Sequence, residues 1–196
     1  MNHPQLAELW PEYLLLQHAI IRATVPLTEA AAESTRALPE SDPLRAPLFE
    51  YLEEHVDEEL HHDDRLLEDL ELLGVRREDA LAQMPSPAVA TLVGCQYYWL
   101  HHYHPLAFLG YVALMEGYPP TDELIATLRS RTGYPAGGFR TFAEHGQLDP
   151  GHRDHLDATL DAMPLTAQHE AVLACSALTT VNLAARALEE LLEAKR

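Results

Sequence analysis

His145-Gly-Gln-Leu-Asp149-Pro-Gly-His152 spaces two imidazoles and a carboxylate at i, i+4 and i+7. At about 100° per residue, such positions stay within roughly 40° of one line along a helix, so three metal ligands can converge. The line continues through Leu156, Thr159 and Met163, which points the trio towards a core. Polar groups so placed need partners. A second candidate is Glu59 with His62, set in an apolar stripe of Leu52, Val56, Leu66, Leu70 and Leu73. A carboxylate and an imidazole three residues apart can hold one metal, although the same pair reads equally as a solvated helix couple. Glu58 and His61 share the spacing but are rotated about 100° from the stripe, which assigns them to the surface. Glu116 follows Leu109, Val112 and Ala113 at helical spacing, on an inward face; the alternative is a helix-end carboxylate reaching water beside Gly117. Three carboxylates (Glu59, Glu116, Asp149) and three imidazoles (His62, His145, His152) without thiolate suit two first-row metal ions. Iron and manganese are the usual carboxylate-rich choices in helical bundles, and zinc is allowed by ligand type.

These residues need a scaffold. The 196 residues are 47% hydrophobic, enough for one domain with a substantial core, and no composition shift marks a second between residues 1 and 196. A formal net charge of -18, from 31 acidic against 13 basic residues, argues against nucleic acid and anionic membranes as partners. The twelve histidines gather at 55, 61 and 62, at 101, 102 and 104, and at 145, 152 and 155, a first sign of metal. The amino terminus has no basic region ahead of an apolar core, and no apolar run reads as long enough to span a bilayer, so a cytoplasmic location is expected. Cys95 and Cys175 stand far apart in apolar helical patterns, which reads as reduced and buried.

Apolar residues recur at three and four throughout, and no alternating strand pattern persists, so the class is all-α. A first helix is expected from about residue 5 to 37 with a bend near Pro26. A second opens at Ser41-Asp42-Pro43 and closes at Gly74. A third starts at Ser86-Pro87, breaks at His104-Pro105 and ends at Pro119-Pro120. Thr121 caps a short helix to Gly133, a turn follows at Gly137-Gly138, and Thr166 opens a last long helix. Pro150-Gly151 is poor helix sequence, so two readings stand side by side: one helix line through 145, 149 and 152, or a new helix capped by Asp149 with His145 on the preceding one.

Glu59-Leu-His-His62-Asp-Asp with Leu66 to Gly74, then His104 to Glu116-Gly, then His145 to His152, stand in an order and spacing that resembles the haem-oxygenase-like di-iron oxidases and oxygenases, often called iron-containing redox enzymes. The resemblance spans roughly residues 45 to 190. It implies a single-domain, seven-helix, haem-oxygenase-like bundle related to haem oxygenase and thiaminase II, without haem. By that analogy Glu59, His62 and His145 hold one Fe(II), and Glu116, Asp149 and His152 the other. O2 is then the co-substrate, for oxidation of a small amino acid, amine or fatty acid, with an external electron donor allowed. Two other classes stay open: a thiaminase II-like cofactorless enzyme, disfavoured because Cys95 lacks a flanking signature, and a non-catalytic metal-binding helical protein. A homodimer is allowed by the general frequency of symmetric pairs, with no sequence feature asking for it.

Overall fold

In a computed structural model describing residues 3–194, the described chain is all-α, as expected. Its helices are α1 (Leu6–Ile21), α2 (Thr24–Arg36), α3 (Arg45–Glu59), α4 (His62–Leu72), α5 (Arg77–Ala82), α6 (Pro87–His102), α7 (Ala107–Glu116), α8 (Asp122–Thr132), α9 (Arg140–Ala162) and α10 (Ala167–Glu193), with a 3-10 turn at Ala136–Phe139. These are ten segments among the described residues where seven were expected, because long periodic stretches break at corners. The segment expected from 5 to 37 turns at Arg22-Ala23. Pro26 falls in the first turn of α2, where a missing N–H costs nothing.

The second segment is not one helix. Leu60 is extended (φ -56°, ψ 129°) and His61 is left-handed (φ 70°), so the chain turns a corner between α3 and α4. No glycine or proline marks the place. A left-handed non-glycine residue costs about 1 to 2 kcal/mol, and here the corner puts Glu59 at the end of one helix and His62 at the start of the next, both buried.

Locally encoded ends fall where expected. Ser86 Oγ accepts the Val89 N–H ahead of α6, and Thr121 Oγ1 accepts that of Leu124 ahead of α8. Gly133 closes α8 at φ 73°, and Thr166 and His169 form a reciprocal capping box on α10. Around Asp149 the chain takes the continuous reading and not the capped one. α9 runs unbroken for 23 residues through Pro150, so Asp149 lies inside the helix and caps nothing. Proline removes one backbone donor, the N–H that would bond the Gly146 carbonyl, and the turns on either side continue. His145, Asp149 and His152 consequently share one helix.

Two apolar clusters hold the bundle. One packs Leu27, Leu48, Leu92 and Phe108 with their neighbours; the other packs Trp10, Leu14, Leu66, Leu70 and Phe139. α7 lies against α10 through Gly110, where any Cβ would collide with the backbone carbonyl of Leu173 and crowd Ser176. The obstacle is main chain, so Gly110→Ala is expected to lower stability by about 1 to 3 kcal/mol, read as a fall in urea midpoint.

The expectation that no segment is long and apolar enough to cross a bilayer is corrected by α10. Its 27 residues include a window of mean hydropathy 1.5 that passes by length and composition, of which 22% is buried. Ser176, Thr179, Thr180 and Asn182 interrupt the apolar run to the eye, but alanines and leucines keep the average high.

Candidate metal centre

α3, α4, α7 and α9 meet around a knot of carboxylates and imidazoles. Glu59, His62 and His145 form one group whose donor atoms lie within 4.8 Å of one another, and His55, Glu59 and Glu116 form a second. Glu59 belongs to both. Glu59 Oε2 is 3.2 Å from His62 Nδ1, and His55 Nε2 is 3.3 Å from Glu116 Oε1. His152 flanks the second group, its Nδ1 4.0 Å from Glu116 Oε2. Asp149 is buried on the wall of the adjoining cavity, beside His145.

The six residues singled out from sequence are thus placed unequally. Glu59, His62 and His145 come together as one triad. Glu116 instead groups with His55 and Glu59, with Asp149 and His152 at its margin. His55 lies outside that set of six, yet it stands one helical turn before Glu59, and 55, 59 and 62 repeat the i, i+4, i+7 spacing of 145, 149 and 152. Its place four residues before Glu59, on the same predicted helix, was the available signal. Glu58, assigned to the surface from its rotation, is partly exposed, but its carboxylate lies 3.5 Å from His55 Nδ1 and 4.0 Å from His152 Nε2. His61 is exposed.

Two contacts set the aim of α9. The buried Asp69 of α4 accepts the Thr141 N–H at 2.7 Å, tying the first turn of α9 to the helix that also carries His62. One turn on, His145 Nδ1 lies 2.9 Å from the Thr141 carbonyl. A carbonyl only accepts, so Nδ1 carries the hydrogen and Nε2 is left as the ligating nitrogen, the usual arrangement of a metal-binding histidine. Gly146 lets α9 approach the Pro120 carbonyl, which a Cβ would strike.

The electrostatics are those of an anionic interior. Burial, reinforced by Glu59, Asp149 and Glu58 and opposed by His55, pushes the Glu116 carboxyl up to about 8. Burial likewise raises Asp149 to about 6. For Glu59 burial acts upward, but His62, His55 and His145 outweigh it and hold the group below its ordinary value. Burial lowers His55, and the carboxylates of Glu58, Glu116 and Glu59 more than reverse that. Burial also lowers His152 and raises the hydroxyls of Tyr51 and Tyr111, which border the site.

A raised carboxyl makes the native state hold a proton that the unfolded chain has released. The metal-free protein is therefore expected to lose stability as pH rises from 4.5 towards 8. His18, His104 and His152, lowered from 6.5 by burial, work the other way, but only below that value. His55, raised by its carboxylates, adds to the loss above 6.5, so the urea midpoint should fall between about pH 7 and 8.5 through Glu116 and His55 together, and cation binding should abolish the fall by displacing their protons.

The residues fit a metal pair on their own chemistry. Glu116 Oε2, Asp149 Oδ1 and His152 Nδ1 are buried acceptors or donors without a hydrogen-bond partner, gathered where burial is costly without compensation. Above them opens a cavity of about 260 Å³, walled by Ile20, Val112, Met115, Pro120 and Phe142, with Tyr13, Gln17 and Thr24 among its polar members.

Carboxylates and histidines converging from four helices of an all-helical bundle make this a candidate metal centre. The chain belongs to the iron-containing redox enzyme family, whose model matches residues 3–187. No functionally curated protein matches it. Among solved structures it is similar to a domain of unknown function with a haem oxygenase-like fold from Shewanella denitrificans, at 20% identity and a TM-score of 0.85 over 99% of this chain and 85% of that one. It is also similar to a TenA homologue from Pseudomonas syringae pv. tomato, at 15% identity and TM-score 0.73 over 98% and 86%. A CADD-like protein of unknown function from Nostoc punctiforme gives 18% and 0.72 over 95% and 82%. At these identities the likenesses establish the fold, and the fold is haem-oxygenase-like.

Proposed function

We propose that the protein is a non-haem di-iron oxidase or oxygenase that uses O2 to oxidise a small organic molecule. The observation that carries this reading is the pair of ligand groups sharing Glu59 beside a half-open, largely apolar cavity. Glu59, His62 and His145 would hold one ion; Glu116, with His55, Asp149 and His152 around it, would hold the other. Two ferrous ions held by these residues would supply the electrons for O2 reduction.

The chain supplies the rest. His145 is held in one tautomer by the Thr141 carbonyl, and Asp69 fixes the turn from which it projects. Glu59 stays ionised among its histidines, as a shared ligand must, whereas Glu116, pushed up to about 8, keeps its proton at neutral pH until a cation displaces it. Ile20, Val112, Met115 and Phe142 exclude water and orient an apolar substrate body, while Gln17, Thr24 and Tyr13 offer hydrogen bonds. A cysteine-nucleophile hydrolase is less well supported. Cys95 lies outside the cavity wall, donates to the Leu92 carbonyl, and has its thiol raised by burial, the reverse of an activated thiolate.

Anaerobic titration with ferrous iron, a count of bound iron, and O2 uptake on mixing test the proposal. About two irons per chain with O2 consumed, both reduced in Asp149→Ala, are expected. Failure of iron to bind, with the variant matching wild type, would sink it.

A further inference from the structure

We propose that α10 is the seam of a symmetric homodimer in which a second copy packs antiparallel against it, joined by the outer face of α6. Ala171, Ala174, Leu178, Val181, Ala185 and Leu188 follow one another at alternating steps of three and four, and Leu192 continues the series. All seven are exposed, Leu178 at 63% and Val181 at 43%. The buried face of the same helix, Val172, Ser176, Thr180 and Ala187, is a separate line that packs inward. The outer line is therefore surplus to the fold. Apolar residues alternating at three and four make the stripe that another helix with the same repeat covers.

The identity of the partner follows from three features. The stripe is graded, with Ala171 and Ala174 at one end and Leu188 and Leu192 at the other. An antiparallel copy sets small against large along its whole length, whereas a parallel copy leaves the alanine end gapped. Charge agrees over the middle of the seam: on a chain of net charge -18, Ala171 to Ala185 contains no charged residue, and Glu170, Glu189 and Glu193 stand only at its two ends, with Arg186 between them.

The third feature is the neighbour. α6 runs antiparallel to α10, since the Glu190 carboxylate accepts the Ala88 N–H at one end and Gln168 donates to Tyr103 Oη at the other. Alongside the stripe α6 exposes Ala90, Gly94 and Tyr98, and a Cβ at Gly94 would meet only open space. Two such helix pairs related by a two-fold axis form a four-helix contact. Helices about 10 Å across, side by side over roughly 32 Å, present on the order of 640 Å² per copy. The total of about 1,300 Å² lies within the range of stable interfaces.

Sedimentation equilibrium on the wild-type chain should give twice 21.9 kDa. The double variant L178E/L188E, altered only at exposed positions, should sediment as a monomer with unchanged far-UV circular dichroism. Orientation is read separately. In a Cys175→Ser background, Val181→Cys should form a disulfide-linked dimer on mild oxidation. Wild-type Cys175 should not, because antiparallel copies hold the two thiols roughly 19 Å apart along the axis. A monomeric wild type, a dimer that survives the double variant, or crosslinking through Cys175 in place of position 181 overturns the proposal. A monomer that floats with phosphatidylcholine vesicles would overturn it in favour of a lipid partner.

Discussion

Replacing Glu59 with Gln is expected to abolish binding at both metal positions, taking ferrous iron from about two per chain to near zero. Glu59 is the one residue common to both ligand groups, so its loss is not confined to either ion. The amide keeps the volume and one acceptor, so the bundle should survive, and circular dichroism should be unchanged. Loss of a carboxylate common to both groups should exceed the 10 to 100-fold weakening typical when supporting residues are changed. His152→Ala, at the margin of one group, should lower occupancy by about one ion. The comparison is decisive: if Glu59→Gln retained one tightly bound iron, the two groups would be independent. A secondary effect concerns Glu116, part of whose elevation comes from the Glu59 charge. In the metal-free variant it should release its proton at lower pH, flattening the loss of stability between pH 7 and 8.5.

Asp69→Ala should do damage without touching a ligand. The variant leaves the Thr141 N–H unpartnered in the interior, costing about 1 to 3 kcal/mol, or a fall in Tm of several degrees for a chain of this size. It also frees the first turn of α9, and iron affinity should weaken by roughly 10 to 100-fold. Asp69→Asn keeps an acceptor oxygen and should recover most of both losses. Equal damage from Asn and Ala would show that the Asp69 charge, with Arg140 3.4 Å away, matters more than the cap.

Sequence disclosed what is local. Ser86-Pro87, Thr121, Gly133 and Thr166 announce helix ends because each acts on a backbone group within a few residues of itself. It disclosed inward-facing ligands because a carboxylate or imidazole inside an apolar stripe is conspicuous. It concealed what depends on distant partners. The corner at Leu60-His61 has no glycine or proline and is held by what Glu59 and His62 meet in the folded chain. Pro150-Gly151 reads as a break, yet α9 continues because its neighbours fix both sides. Asp69 caps a helix 72 residues away, beyond the reach of any capping pattern. His55 is legible in sequence as one of the clustered histidines, and only the folded chain sets it apart from the others by placing it beside Glu59 and Glu116.

Gly146 against the Pro120 carbonyl has a consequence for how such proteins diversify. The ligands sit on helices, but one side of the cavity is the connection Tyr118-Pro119-Pro120, outside any helix. Insertions or exchanges there would reshape the chamber while the ligand-bearing helices kept their register. That stretch of wall can vary without moving a ligand, whereas Val112, Met115 and Phe142 share their helices with Glu116 and His145 and are tied to the site.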